Sequence, residues 1–316
     1  MIIWQHIATK LQENKAVYIL TVIENLGSSP GRKGFKMMVA QDGFIFGSIG
    51  GGVMEFSLVE EAKQLLLDKK TSIFIKKQVH RGNIENGSGM ICSGEQTVAF
   101  HYLDKNDLSQ IKDIIHCINN GKKGTLSFTQ NSFSFSNKLV ENQFNYQIYT
   151  LENWFFEEQI GFKETLYIVG GGHVGVAVSE LLAKLGFYIV VIDNRENLNT
   201  LENNNFAHKK LVINYHEINN YIDEGSSSYI AIMTNKYTDD KLVLSKLLRK
   251  KHHFIGVLGS KAKLKTMWEV LIAEGFTLEE LSKVNAPIGL PIKSETTQEI
   301  AVSIAAQIIK YKNSKN

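Results

Sequence analysis

Short apolar runs and helical periodicity alternate through the second half of the chain. Residues 166–169 and 188–192 are uninterrupted apolar runs of the length that a strand buried on both faces needs. Between them apolar residues recur at intervals of three and four, which predicts a helix that Gly186 ends in a left-handed cap. Its apolar face comprises Val174, Val178, Leu181, Leu182 and Leu185.

The same alternation continues toward the C-terminus. Further strands are predicted at 211–214, 229–233 and 254–258, and further helices at 239–250 and 261–274. A last helix starts at a capping box formed by Thr296 and Glu299. Strands that alternate with helices predict a doubly wound α/β fold with a parallel sheet of about five strands and helices on both faces.

The first half has a different pattern. We predict a helix at 2–14, a strand at 16–23 and a hairpin of 35–39 with 44–46 across an Asp-Gly turn. A helix to about residue 67, an extended segment at 72–79, an alternating strand near 98–102 and short strands over 121–150 follow. This half is a mixed α+β domain, and the boundary near residue 163 divides the chain into domains 1–162 and 163–316.

Three glycines between the two apolar runs have the spacing of a dinucleotide-binding turn. Gly170, Gly172 and Gly175 match G-x-G-x-x-G, and Asp193 ends the next strand, 23 positions after Gly170. In this fold the acid holds a ribose 2′-hydroxyl, which favours NAD, while Arg195 could tolerate a 2′-phosphate. His173 would cap the helix or contact the phosphates. The alternative is that the glycines serve packing alone and the nucleotide site is vestigial.

Two further features are candidates for chemistry. Gly50, Gly51 and Gly52 open a helix, so their N–H groups could converge on an anion, or they could form only a tight link from strand to helix. Cys92 lies in a loop with Gly87, Gly89 and Gly94, which could display its thiol to a ligand, although a lone cysteine is often a small buried hydrophobe. Cys117, beside Ile114 and Ile118, is predicted to lie in the core.

Composition narrows the class of protein. The net charge of +3 and the scattered basic residues give no nucleic-acid or membrane patch. No apolar run is long enough to span a bilayer and the N-terminus lacks the order of a signal peptide, so we expect a cytoplasmic protein without nucleic-acid or membrane partners. The chain has only two cysteines and no C-x-x-C, which argues against a disulfide framework or a structural zinc site.

Several long motifs together resemble the XdhC/CoxI family, whose members are accessory proteins that mature molybdenum hydroxylases such as xanthine dehydrogenase. The resemblance extends over nearly the whole chain and is weaker from about 104 to 155. The stretches that carry it are GSSPGRKGFKMMV, GSIGGGVME, GMICSGE, GGGHVG, IGVLGSKAK and APIGLPIKSETTQEIAVSI. Val53, Ser93 and Asn235 stand where relatives often have Cys, Gly and His.

The resemblance implies an N-terminal XdhC-type domain followed by a Rossmann domain, and a function in handling the molybdenum cofactor (molybdopterin). Such a protein would bind the cofactor, protect it while a cysteine desulfurase exchanges a terminal oxygen for sulfur, and pass it to the apo-enzyme of the hydroxylase. The resemblance also implies a homodimer. The implied ligand surface comprises Ser28, Ser29, Gly50, Gly51, Gly52, Glu55, Cys92 and Glu95.

Within that surface, Cys92 would bind molybdenum or carry the transferred sulfur, because both suit a soft thiolate. Arg32 or Lys36 would meet the phosphate of the pterin. Two other functions compete with this one. An NAD(P)-dependent oxidoreductase would use Gly170, Gly172, Gly175 and Asp193, although no acid/base constellation is placed to assist hydride transfer, and a pure scaffold would leave the Rossmann fold empty.

Overall fold

A computed structural model describes residues 2–80 and 94–314 of the 316-residue chain. The chain divides into two compact units, Met1–Gly161 and Phe162–Asn316. Within the described ranges no helix is both long and apolar enough to cross a membrane.

The first unit contains two antiparallel sheets and three α-helices within the described ranges. Its helices are α1 (Ile2–Gln12), α2 (Gly52–Leu67) and α3 (Leu108–Asn119). The larger sheet has the order β3-β2-β1-β5-β4 and comprises β1 (Val17–Gly27), β2 (Lys36–Ala40), β3 (Ile45–Gly47), β4 (Phe74–His80) and β5 (Gly94–Leu103). The hairpin of β2 and β3 turns at Gly43, whose φ of +82° a glycine adopts without strain.

Alternation along β1 builds the core of this unit. Tyr18, Leu20 and Val22 are fully buried and belong to one apolar cluster with Leu58 and Ala62 of α2. The intervening residues of β1 are buried as well, so the strand is covered on both faces. A central strand with two buried faces reads as a continuous apolar run, which is the pattern seen over 16–23.

A second sheet completes the unit. It has the order β7-β6-β9-β8 and comprises β6 (Gly124–Thr129), β7 (Phe133–Ser136), β8 (Phe144–Thr150) and β9 (Asn153–Ile160). The sequence predicted only short strands to residue 150 and assigned no strand to the aromatic segment after it. That segment is β9, a central strand, where Trp154 and Phe156 are buried and the residues next to them are more exposed.

The second unit is a doubly wound parallel sheet. Its strands follow the order β12-β11-β10-β13-β14 and are β10 (Thr165–Val169), β11 (Tyr188–Asp193), β12 (Lys209–Val212), β13 (Gly225–Ile232) and β14 (His252–Val257). Its helices are α4 (His173–Lys184), α5 (Asn199–Glu202), α6 (Tyr237–Leu247), α7 (Lys261–Ala273), α8 (Leu278–Ser282) and α9 (Thr297–Asn313). The order reverses between β10 and β13, which is where ligands bind in such folds.

Helices cover both faces of this sheet. Leu166 and Ile168 belong to a cluster with residues of α4 and α9, while Tyr167 and Val169 belong to another with residues of α6 and α7. The predicted α/β class and five-stranded parallel sheet are therefore confirmed. Strand β12 begins two residues before its predicted start, since exposed Lys209 and Lys210 at this sheet edge carry no apolar signal.

Candidate functional site

In the glycine turn between β10 and α4, close packing requires a glycine at two of the three motif positions, and the third leaves space beside the backbone. Gly170 has a φ of +119°, and a Cβ there would lie 2.3 Å from the Met233 carbonyl oxygen. A Cβ at Gly175 would lie 2.4 Å from the carbonyl oxygen of Gly170, so helix and turn pack closely. A Cβ at Gly172 would have no neighbour within 4 Å among the described residues. The turn therefore leaves its backbone open at the glycine where a pyrophosphate approaches in this fold.

Asp193 lies at the carboxyl end of β11, but its carboxylate is sealed inside the unit. The side chain is only 1% exposed. One oxygen accepts hydrogen bonds from the Gly171 amide at 2.7 Å and from Arg195 Nη2 at 2.8 Å. The other accepts from the amide and Nε of Arg195 at 3.0 and 2.8 Å.

These four hydrogen bonds keep Asp193 ionised. Burial acts to raise the pKa of this carboxyl, but the hydrogen bonds from Arg195 and Gly171 outweigh burial and hold the pKa below its ordinary value. The Gly171 carbonyl in turn accepts a hydrogen bond of 2.6 Å from the Thr200 hydroxyl. The peptide groups around Gly171 are thus fixed on both sides.

A second buried carboxylate that forms an ion pair lies at the same edge of the parallel sheet. Asp240 is fully buried and accepts hydrogen bonds from the amide and hydroxyl of Thr234, at 2.9 and 2.7 Å, at the end of β13. Its other oxygen pairs with the ammonium of Lys263, which also donates to the Leu258 carbonyl at 3.3 Å. Sequence reasoning missed this pair, although Lys263 lies in the IGVLGSKAK motif.

His173 is exposed at the first position of α4. It lines a cleft of about 320 Å³ together with hydroxyl and amide side chains, among them Thr200, Asn203, Thr297 and Gln298. Thr297 follows the capping box of Thr296 and Glu299, which is present as predicted. Two motifs far apart in sequence, the glycine turn and the start of α9, therefore meet in this cleft.

In the first unit, Gln96 of β5 joins the Ser28-Ser29-Pro30 loop to the rest of the sheet. Its side-chain oxygen accepts hydrogen bonds from the Ser29 hydroxyl at 2.9 Å and from the Gly31 amide at 3.1 Å. Its amide donates to the Gln78 side chain, which donates to the carbonyl of Met54 in α2. We call Ser29, Gly31, Gln78 and Gln96 the loop cluster. Ser29 and Gln96 are buried in it.

Close backbone contacts tighten the loop cluster. A Cβ at Gly31 would lie 2.3 Å from the Ile49 carbonyl oxygen, and one at Gly94 would lie 2.4 Å from the Ser29 amide. A Cβ at Gly50 would lie 2.7 Å from the Gly31 amide. The structure therefore brings together the Ser29 loop, the Gly50–Gly52 turn and the start of β5. Ser28, next to the cluster, is exposed.

The Gly50–Gly52 turn does receive an anion, and that anion belongs to the chain itself. The Glu55 carboxylate accepts hydrogen bonds from the amides of Ile49 and Gly51, at 2.8 and 2.9 Å, and from the Ser48 hydroxyl at 2.8 Å. Burial acts to raise the pKa of Glu55, but the hydrogen bonds outweigh it and the pKa is lowered. One of the amides expected to bind a ligand, that of Gly51, thus binds the side chain of Glu55, which we also expected to contact that ligand.

Lys36 and Arg32, the two residues predicted to meet a phosphate beside this loop, differ in whether a ligand can reach them. The ammonium of Lys36 pairs with Glu158, and both side chains are nearly buried. The guanidinium of Arg32 is exposed and donates to the Ser29 carbonyl at 3.2 Å. Of these two residues, Arg32 is the one open to a phosphate from solvent.

The remaining candidates of this unit are only partly described. Glu95 pairs with Lys77 across the sheet edge at 2.6 Å. Cys92 lies outside the described residues. Cys117 is buried in α3 as predicted, and burial raises the pKa of its thiol. Among the described residues, 2–80 and 94–314, no group of three His, Cys, Asp or Glu side chains is arranged to hold a metal ion.

A larger groove, of about 880 Å³, lies elsewhere in the first unit, between the end of α3 and β7. Its lining includes Lys122, Lys123, His116 and Cys117. It contains none of the residues that the sequence predicts to bind a ligand. Cavity size alone therefore does not identify the site.

Two models of one family match the chain in different units. The XdhC Rossmann domain matches residues 166–308, and the XdhC and CoxI family matches residues 11–76. A crystal structure of a xanthine dehydrogenase from Bacillus halodurans has a TM-score of 0.74 and 22% sequence identity, covering 99% of this chain and 96% of that chain. That likeness shows a shared fold.

Curated relatives match over nearly the full chain. The uncharacterized protein YqeB of Escherichia coli is 26% identical over 97% of this chain, but the chain spans only 46% of that protein. A Bacillus subtilis protein that is named as a probable subunit of xanthine dehydrogenase is 23% identical over 95% of this chain and 94% of its own length. With models of the family matched in both units, the chain belongs to the XdhC/CoxI family.

Proposed function

We propose that this protein is an accessory factor for a molybdenum hydroxylase of the xanthine dehydrogenase type. Membership of the XdhC/CoxI family and the name of the Bacillus subtilis relative support an accessory role for xanthine dehydrogenase. In its finer form the proposal is that the chain binds molybdenum cofactor as cargo, supports its sulfuration by a cysteine desulfurase, and delivers it to the apo-enzyme.

The observation that carries the cofactor-binding part is the loop cluster. Three family motifs that are far apart in sequence meet there through Gln96, which bonds to Ser29 and Gly31, while Gly50 packs on Gly31. A buried amide that joins several loops fixes their backbones before any ligand arrives, which lowers the ordering cost of binding. Beside this rigid base stand the exposed Ser28 and Arg32.

The chemistry of these groups suits the organic part of the cofactor better than its metal. An exposed guanidinium and a hydroxyl fit a phosphate and a polar pterin. Because the described part of the chain holds no cluster of metal ligands, molybdenum would depend on its own pterin ligands and on a single thiolate. We propose Cys92 for that thiolate, since a metal ligand or a sulfur carrier must be a soft and ionisable group.

Replacement of either cysteine tests the proposal. Wild-type protein, Cys92→Ser and Cys117→Ser would each be incubated with molybdenum cofactor and passed through gel filtration, with molybdenum measured by mass spectrometry and pterin by fluorescence. We expect the wild type and Cys117→Ser to retain both, and Cys92→Ser to lose most of the molybdenum. Cys117→Ser is the matched control, because Cys117 is a buried residue of α3 that we do not expect to contact the cofactor.

Two results would count against the proposal. Equal retention of molybdenum by all three proteins would refute the role of the Cys92 thiol. Absence of both molybdenum and pterin from the wild-type fraction would refute cofactor binding itself.

A further inference from the structure

The carboxylate that should anchor a dinucleotide in the Rossmann unit has no acceptor position left. A carboxylate offers about four lone-pair positions. Those of Asp193 are filled by the amides of Gly171 and Arg195 and by Nε and Nη2 of Arg195, at 2.7 to 3.0 Å. A ribose hydroxyl could bind Asp193 only by displacing one of these donors.

Arg195 is the group that seals the carboxylate. Its guanidinium lies side-on against Asp193 in a bidentate pair, and its side chain is 36% exposed whereas that of Asp193 is 1% exposed. A ligand arriving at the end of β11 therefore meets Arg195 before Asp193. The Thr200 bond to the Gly171 carbonyl holds the other side of this arrangement. A bidentate charged pair of this kind is among the stronger polar contacts in proteins.

The surroundings of Arg195 do not favour a 2′-phosphate either. Besides Asp193, the Asp239 carboxylate lies close enough to raise the pKa of the guanidinium. Asp239 is held there by a hydrogen bond of 3.2 Å from the Asn194 side chain. A 2′-phosphate placed here would have to compete with Asp193 for the guanidinium, with the negative charge of Asp239 in the same region.

We propose that Arg195 is a specificity-determining residue that excludes nicotinamide dinucleotides from the crevice by occupying the acceptor positions that a ribose diol would use. The open backbone at Gly172 remains available to a ligand that carries no ribose at Asp193. This exclusion goes beyond the accessory role and is independent of cofactor delivery. It also separates this unit from the NAD(P)-dependent oxidoreductases that share its glycine spacing.

Calorimetric titration of the full chain with NAD⁺ tests the proposal. We expect Arg195→Ala to bind NAD⁺ at least about tenfold more tightly than the wild type, since about 1.4 kcal/mol from one recovered hydrogen bond gives that factor. The double variant Asp193→Asn/Arg195→Ala should lose the gain in NAD⁺ affinity, because a neutral amide then replaces the charged acceptor at position 193. Arg249→Ala is the matched control, since Arg249 forms a surface pair with Glu280 and should leave the affinity unchanged.

A second variant guards against misfolding. Arg195→Gln removes the charge and the bidentate contact while keeping most of the side chain, and it should raise the affinity in the same direction. Circular dichroism spectra of all variants would establish that they are folded. Equal or weaker NAD⁺ binding by the folded Arg195 variants than by the wild type would overturn the proposal, as would a gain that survives the change at Asp193.

Discussion

His101 is a titratable residue inside the core of the first unit. It is fully buried in β5, where its ring contacts the rings of Phe128 and Trp154. Its Nε2 lies 2.9 Å from the Thr129 carbonyl oxygen and must carry the proton, because a carbonyl only accepts, while Nδ1 has no hydrogen-bond partner among the described residues. Burial lowers the pKa of this imidazole to about 4.

The lowered pKa of His101 predicts how stability depends on pH. An unfolded histidine has a pKa of about 6.5, so between about pH 6.5 and pH 4 the unfolded chain binds one more proton than the folded one. The neutral, buried His101 therefore contributes fully to the free energy of unfolding above pH 6.5, and this contribution is lost as the pH falls toward 4. We expect urea unfolding to show a loss of about 2–3 kcal/mol from this group between pH 7 and pH 4.5.

Variants separate this effect from that of other groups. His208 and His252 also have pKa values lowered by burial, but they lie in the second unit and titrate in every variant. The free energy of unfolding of His101→Phe should therefore fall by about 2–3 kcal/mol less than that of the wild type between pH 7 and pH 4.5. The variant His116→Phe, at an exposed position, should not show this difference. The same pH dependence in wild type and His101→Phe would contradict the prediction.

Single residues set the limit of what the sequence predicts about the site. Asp193 was found from its spacing, because the end of a strand is a fixed position in this fold. Arg195 was named only as a residue that could tolerate a 2′-phosphate, and its pairing with Asp193 was not predicted, since hydrogen bonds within a turn depend on geometry that spacing does not record. Gln96 carried no signal, because a glutamine in an alternating strand looks like any solvent-facing polar residue. Its burial follows from loops that fold over it.

At the scale of an element, the glycine turn gives a contrast between two residues of one motif. Gly175 lies against the Gly170 carbonyl, where a Cβ would approach backbone that cannot move aside cheaply, at 2.4 Å. Gly172 has a φ of −73° and no described atom within 4 Å of a Cβ. The motif thus combines a packing position with an open one.

Alanine substitutions should distinguish these two positions. We expect Gly175→Ala to destabilise the protein by about 3 kcal/mol through overpacking. Gly172→Ala should change the free energy of unfolding by less than about 0.5 kcal/mol, since its conformation suits any residue. Denaturant unfolding followed by circular dichroism measures both. Equal stability losses in the two variants would show that the turn is not packed as described.

Helices and strands whose apolar residues follow one clear pattern were predicted well, and strands in which apolar and polar residues are mixed were not. Strands β10, β11, β13 and β14 of the parallel sheet are largely buried, so their apolar runs stand out from the amphipathic helices between them. Strand β9 was missed because Glu157, Glu158 and Gln159 follow its aromatic residues, which makes its C-terminal half look like a loop. Its pairing with β6 and β8 supplies the missing stabilisation. Tertiary pairing is not visible in a local pattern.

For the whole molecule, the family motifs are divided between two units of different architecture. The loop cluster and the Glu55 turn lie in the antiparallel unit, and the glycine turn lies in the parallel one. Both candidate ligand regions hold an internal carboxylate on backbone amides, Glu55 in the first unit and Asp193 in the second. Each turn is thus held in place by the chain's own side chains, without a ligand.

An accessory factor and a permanent component of the enzyme differ in what remains bound after maturation. If the chain delivers cofactor, hydroxylase purified from cells that contain the chain should be loaded with molybdenum and free of the chain. Cells that carry Cys92→Ser should yield hydroxylase with clearly less active-site molybdenum or sulfur, whereas Cys117→Ser should restore the wild-type content. Metal analysis and gel electrophoresis of the purified hydroxylase measure both quantities. A stoichiometric complex that persists in the mature enzyme would instead make the chain a permanent component, because a carrier that is never released cannot serve a second acceptor.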